Sequence, residues 1–133
     1  MKACIGIMPE ELIRKRLLAM AQGLYTPGAD EPLVWYTSLN AVSQVLCPEN
    51  IRLLRLIDSE KPQTMTELAR LTGRAKSNLS HTLKSLSDKG FVRLERQSGN
   101  TLKPVALFTD FEIISSSEIE NKIRKVAKDR DVA

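Results

Sequence analysis

The apolar positions of this chain change period several times, and each change marks an element. Ala3, Ile5 and Ile7 alternate with Lys2, Cys4 and Gly6, the period-two pattern of a short strand. Pro9 suits the first position of a helix, and Glu10 and Glu11 suit its positive end. Ile13, Leu17, Met20 and Ala21 then recur on one face, while Arg14, Lys15 and Arg16 fall mostly elsewhere and read as a solvated outer face. Tyr25 to Pro32 contains Pro27-Gly28 and two acids and reads as an exposed linker. Val34-Trp35-Tyr36 is a short aromatic stretch, with Trp35 read as a core anchor, and Thr37 or Ser38 caps a helix to about Leu46. Cys47-Pro48-Glu49 opens the next helix, where Ile51, Leu54 and Ile57, with Leu53 and Leu56 beside them, form the broad apolar surface of a scaffold helix.

From Thr64 to Leu107 the punctuation becomes dense. Thr64-Met65-Thr66-Glu67 has the form of a capping box, so a helix starts at Thr64, carries Leu68, Ala69 and Leu71, and closes at Gly73. A second helix begins at about Lys76, with Leu79, Leu83 and Leu86 on one face, and ends at Gly90 after Lys89. Phe91 to Arg96 alternates like a half-buried strand, Ser98-Gly99-Asn100 turns, and Leu102 to Leu107 returns. Helix, tight turn, helix and hairpin, in that order, predict a winged helix-turn-helix. The expected fold is therefore mainly α with a small β-hairpin. Residues 1–46 form an N-terminal αβ extension, 47–108 the winged helix-turn-helix, and 109–133 a C-terminal strand and tail helix. In that tail Phe108 to Ile114 reads as a strand, and Ser117-Glu118-Ile119-Glu120 as a second capping box. Ile119, Ile123 and Val126 make an apolar stripe that needs the N-terminal extension or a partner subunit, or else frays.

The run Leu68-Ala69, Leu71-Thr72-Gly73, Lys76-Ser77-Asn78-Leu79-Ser80-His81-Thr82-Leu83 and Leu86, closing with Lys89-Gly90-Phe91-Val92, resembles the MarR-type winged-helix regulators. The resemblance covers roughly residues 47 to 108. Ala75 stands where a capping Ser or Thr is common in that family, Leu79 replaces Val, and His81 replaces Arg. The flanks are similar to a prokaryotic group of winged-helix proteins, some encoded beside toxin genes. The resemblance implies a DNA-binding transcriptional regulator, with an antitoxin that grips a toxin and represses its own operon as the alternative.

Composition adds one strong feature. The net charge is only +4, but nine cations between Lys61 and Lys103 face three acids, whereas each flank carries one more acid than cations. A basic excess over the helix-turn-helix is the footprint of a phosphate-binding face, and it argues against a winged helix serving only as a protein scaffold. Two cysteines far apart, Cys4 and Cys47, and a single histidine give no zinc-ligand spacing and read as reduced thiols. There is no Gly-rich phosphate loop and no arrangement for nucleophilic catalysis, so neither an enzyme nor a cofactor is expected. The short apolar runs predict no membrane span and no secretion signal, hence a cytoplasmic protein.

On a helical wheel the leucines of the second helix centre one side, and the other side carries Ser77, Asn78, His81, Lys84 and Ser85, with Ser80 at the boundary. Short hydrogen-bonding groups and cations, with no acid before Asp88, are what a helix in the major groove needs. Ser77, Asn78 and His81 are candidate base readers, Asn78 by pairing with adenine, and Ser80 is a further candidate DNA contact. Arg74, Lys76 and Lys84 are candidate contacts to phosphate or guanine. Arg96 and Lys103 flank the hairpin turn and are candidates for the minor groove or its phosphates, with an ordinary charged hairpin surface as the alternative. One recognition helix reads few bases, so a homodimer on paired half-sites of double-stranded DNA is expected. Arg14, Lys15 and Arg16 could add an auxiliary backbone contact.

Overall fold

The structure is a computed structural model that describes residues 1–32 and 34–132, the last four by backbone alone. The chain divides into two compact units, one of residues 1–2 and 45–110, the other of residues 3–44 and 111 onward. In order, the elements are β1 (Lys2–Ile7), α1 (Glu10–Ala21), β2 (Val34–Tyr36), α2 (Leu39–Val45), α3 (Pro48–Glu60), α4 (Met65–Thr72), α5 (Lys76–Asp88), β3 (Val92–Arg96), β4 (Leu102–Ala106), β5 (Asp110–Ile114) and α6 (Ser117–Val132). The protein is mainly helical with two small sheets, and α4, α5 and the β3–β4 hairpin give a winged helix-turn-helix.

In the first of these units the ends of the helices follow local chemistry. Pro48 stands at the start of α3 behind Cys47. Thr64 caps α4 by accepting from the Glu67 N–H at 3.1 Å. The returning half of the box is shifted by one residue, since Glu67 Oε2 accepts from the N–H of Gln63, also at 3.1 Å. Gly73 closes α4 at φ +71°. Leu53, Leu54, Ile57, Met65, Leu68, Leu79, Leu83, Leu86, Phe91 and Val92 are buried in this unit. Here α3 packs on β4, α4 on α5, and α5 on β3.

The other unit, the N-terminal unit, contains a three-stranded sheet in the order β2-β1-β5, with β1 and β2 parallel. The strand expected over residues 108–114 begins at Asp110 and joins β1. Gly6 pairs with Trp35, whose ring lies so close over it that a Cβ at position 6 would overlap the indole. Met8, Leu12 and Ile123 are buried together, with Ile13, Tyr25, Trp35 and Ile119 against them. The apolar stripe of α6 therefore docks on the N-terminal extension. The cap of α6 is Ser116, whose Oγ accepts from the Ile119 N–H at 3.2 Å, in place of the expected Ser117 box. Likewise Pro9 precedes α1 and does not form its first residue.

The reading of Arg16 as a solvated charge, or as a DNA contact, is overturned. Its side chain is 4% exposed. It pairs with Glu31 at 2.9 Å and lies 5.5 Å from the centroid of Trp35. Glu31 also accepts from the Tyr25 hydroxyl at 2.8 Å and from the Gly28 N–H at 3.1 Å. The segment read as an exposed linker is thus folded back on a buried charge pair. Burial alone would raise the Glu31 carboxyl, but the hydrogen bonds from Arg16, Tyr25 and Gly28 outweigh it and hold the carboxyl low. Burial, and then the bond to Glu31, pushes the Tyr25 hydroxyl up to about 12.

The folded value of Glu31 lies below its ordinary 4.5, so its contribution to stability is complete above that pH and is lost as pH falls through the folded value. For Tyr25 the contribution is complete below its ordinary 10.0 and is lost as pH rises through about 12. Glu31→Gln leaves Arg16 buried and unpaired, and is expected to cost about 3 kcal/mol at neutral pH. It should also remove the acid dependence attributed to Glu31. Denaturant midpoints of both proteins between about pH 3 and pH 8 check this; parallel profiles would show that the pair does not act as described.

Candidate nucleic-acid interface

α5 opens without a side-chain cap, because Ala75 has no acceptor to offer. Its far end is closed by a Schellman motif. The Gly90 N–H donates to the Ser87 carbonyl at 3.0 Å and the Phe91 N–H to the Leu86 carbonyl at 2.9 Å. Gly90 takes φ +86° to make that turn. Phe91, buried and edge-on to Phe108 with centroids 6.4 Å apart, then starts the chain into β3. The Leu107 N–H returns to the Phe91 carbonyl at 3.0 Å. The wing is thereby tied to the end of the helix it follows.

Burial of Leu79, Leu83 and Leu86 turns the rest of α5 outward. Lys76, Ser77, Asn78, Ser80, His81, Lys84 and Ser85 are all exposed. Helical geometry sets Ser77, His81 and Lys84 along the middle of that face, with Lys76 and Ser80 to one side and Asn78 to the other. Seven of the nine candidate site residues, those of α5 together with Arg74, are brought to one end or one face of α5.

Arg74 is half-exposed on the turn before α5, and it is not a free cation. Its Nε and Nη2 both donate to Asn78 Oδ1, at 3.1 and 2.6 Å, and Nη2 also reaches Thr82 Oγ1 at 3.3 Å. Thr82 did not stand out in the sequence, although Arg74, Asn78 and Thr82 follow one another at intervals of four, the spacing at which helical side chains meet. Arg74 and Asn78 border a cleft of about 480 Å³ with Glu49, Arg52, Leu53, Leu56 and Thr72. The Glu49 carboxyl there is held below its usual value by its own backbone N–H and by Cys47, and then by the charges of Arg52 and Arg74.

The hairpin separates the other two candidates. In the β3–β4 register Arg96 faces Leu102 and Lys103 faces Glu95. Side chains alternate across a strand, so Arg96 and Lys103 point to opposite faces. Arg96 is exposed beside the turn, where the Gln97 N–H meets the Thr101 carbonyl at 2.9 Å. Lys103 borders a small cleft with Ile57, Asp58 and Lys61 of the α3 end and with Gln63. Among the described residues no group of His, Cys, Asp and Glu is arranged to hold a metal ion, and no helix is long and apolar enough to cross a membrane.

Fold and surface define a winged helix-turn-helix protein with a polar, cationic second helix. The chain belongs to the HVO_A0114 family, whose model matches residues 45–113, more than half of its length. No curated protein matches it. Among solved structures it is similar to one described as the predicted DNA-binding transcriptional regulator from E. coli, at 16% identity and a TM-score of 0.44. That likeness covers 88% of this chain and 96% of the other.

The Schellman closure can be tested apart from any ligand. Nothing lies within 4 Å of a Cβ added at Gly90, so Gly90→Ala tests backbone conformation alone. Its left-handed φ should make the substitution cost about 1–2 kcal/mol. A denaturant melt followed by circular dichroism checks this. An unchanged midpoint would mean that the turn does not need the left-handed conformation.

Proposed function

We propose that this chain binds double-stranded DNA sequence-specifically, as a homodimeric transcriptional regulator of the MarR-like winged-helix type. In this reading α5 lies in the major groove and the β3–β4 hairpin on the backbone or minor groove. The observation that carries it is the exposed face of α5, where Ser77, Asn78, Ser80 and His81 alternate with Lys76 and Lys84 and no acid intervenes before Asp88. The serines offer donors and acceptors to base edges, Asn78 offers its amino group, and the lysines suit phosphate. The N-terminal end of the helix enters deepest in helix-turn-helix docking, which favours Ser77, Asn78 and His81 as base readers. His81 offers one good bond per ring nitrogen where the related pattern has an arginine fork. Arg96 beside the hairpin turn is the wing residue that suits the backbone. Lys103, on the α3 side, suits it less well.

If a dimer neutralises on the order of six phosphates, log K should fall against log salt with a slope of about −5. Lys84→Ala and Arg96→Ala should each weaken all duplexes alike and flatten that slope by about 1. Fluorescence anisotropy across a salt series measures both. Affinity independent of salt, or none for any duplex at low salt, is incompatible with this function.

Two half-sites require a second copy, and the N-terminal unit offers a surface for it. Leu17 and Leu18 of α1 are more than half exposed, and Leu18 borders a groove with Ala19, Leu24, Val126 and Ala127. An apolar face of this kind suits association between chains. The variant carrying Leu17→Glu and Leu18→Glu is expected to sediment as a monomer and to lose operator affinity while remaining folded. A dimer that survives both changes puts the contact elsewhere. A parent protein that is monomeric overturns the homodimer, and one that co-purifies with an unrelated chain favours the antitoxin reading, in which this surface takes a toxin.

A further inference from the structure

An asparagine reads adenine by accepting a hydrogen bond from N6 and donating one to N7, so it needs both halves of its amide. Asn78 has only one half to offer. Its Oδ1 carries two lone pairs, and both Nε and Nη2 of Arg74 are directed at that oxygen, at 3.1 and 2.6 Å. Thr82, half-buried one turn along α5, accepts from the same Nη2 at 3.3 Å and holds the guanidinium over Asn78. What remains for a ligand on Asn78 is its amino group, because the Nε/Nη2 edge of Arg74 covers the oxygen. Both hydrogens of that amino group are donors. Asn78 is exposed, so its amino group is presented outward.

We infer that Arg74 and Thr82 determine which base Asn78 reads: held by them, it presents donors only, and the base it contacts is guanine and not adenine. Guanine alone shows two adjacent acceptors, N7 and O6, in the major groove; adenine shows one acceptor and one donor, and that donor would meet the Asn78 amino group. Thymine offers a single acceptor next to its methyl. The inference rests on the DNA-binding function proposed above and adds the identity of one base. Arg74 is a positioning residue that occupies the acceptor of Asn78, and Thr82 acts through Arg74.

The test is selection of bound fragments from a random duplex library with the full chain, comparing the parent, Arg74→Met, Asn78→Ala and the double variant. Arg74→Met keeps the alkyl stem and removes the donors. The parent motif is expected to contain a guanine whose preference disappears in Asn78→Ala. In Arg74→Met the preference at that position should turn to adenine by at least about fivefold, the lower end for one bidentate base contact. The double variant should show no preference there. A parent motif with adenine at the Asn78-dependent position, or a guanine preference unchanged in Arg74→Met, overturns the inference and leaves DNA binding intact. If the parent enriches no sequence and binds no duplex at low salt, DNA binding itself fails and the inference falls with it. Should Arg74→Met not fold, Thr82→Val serves: a looser guanine preference supports the inference, and an unchanged one overturns it.

Discussion

The buried row Leu79, Leu83 and Leu86 is the constraint on which the exposed polar face of α5 depends. All three are essentially without solvent contact, so α5 cannot rotate about its axis without exposing one leucine and burying a polar group in exchange. Truncation of one such leucine costs about 2–5 kcal/mol, and burying an unpaired hydroxyl or amide costs roughly 1–3 kcal/mol. Both penalties oppose the same motion. The choice of Ser77, Asn78, His81 and Lys84 as the outward face is therefore made by residues that touch no ligand. The Schellman turn at Gly90 extends that control to the wing, because Phe91 is fixed by a helix carbonyl before the first strand begins.

The N-terminal unit is built differently, around a charge. Removing Arg16 from water is tolerable only because Glu31 meets it and Tyr25, Gly28 and Trp35 complete the surroundings. Such a pair adds little stability compared with an apolar core, but its hydrogen bonds are directional and hold residues 25–32 in one path. Gly6 has a matching role at Trp35, where the absence of a side chain lets the indole lie against β1.

What could be read in the sequence was what local chemistry decides. Thr64, Gly73, Pro48 and Gly90 each act on residues within one turn, so their types announce the helix ends before any fold is known. The leucine spacing of α5 likewise fixes its inner face from sequence alone. Contacts distant in the chain were not legible. Arg16 sits among Arg14 and Lys15 and looks like them; its burial depends on Glu31, fifteen residues away in a segment whose Pro and Gly suggest solvent. β5 joins β1 at the opposite end of the sequence, a pairing that no local pattern specifies. Ser116 and Ser117 are both plausible caps, and only the start of α6 decides between them. The Arg74–Asn78–Thr82 row lies between these cases: its spacing is visible, but on a solvent-exposed helix face such residues are ordinary.

The arrangement of aromatic side chains also has an optical consequence. The single tryptophan, Trp35, and both tyrosines, Tyr25 and Tyr36, belong to the N-terminal unit, and the winged helix contains neither residue type. Intrinsic fluorescence excited in the near ultraviolet therefore reports on the N-terminal unit alone. The peptide-bond signal in the far ultraviolet is dominated by the helices of both. Superimposable unfolding curves from the two signals would mark one cooperative transition, and separated curves two. The winged helix is spectroscopically dark, so a tryptophan introduced into it would be a reporter free of background once Trp35 is replaced.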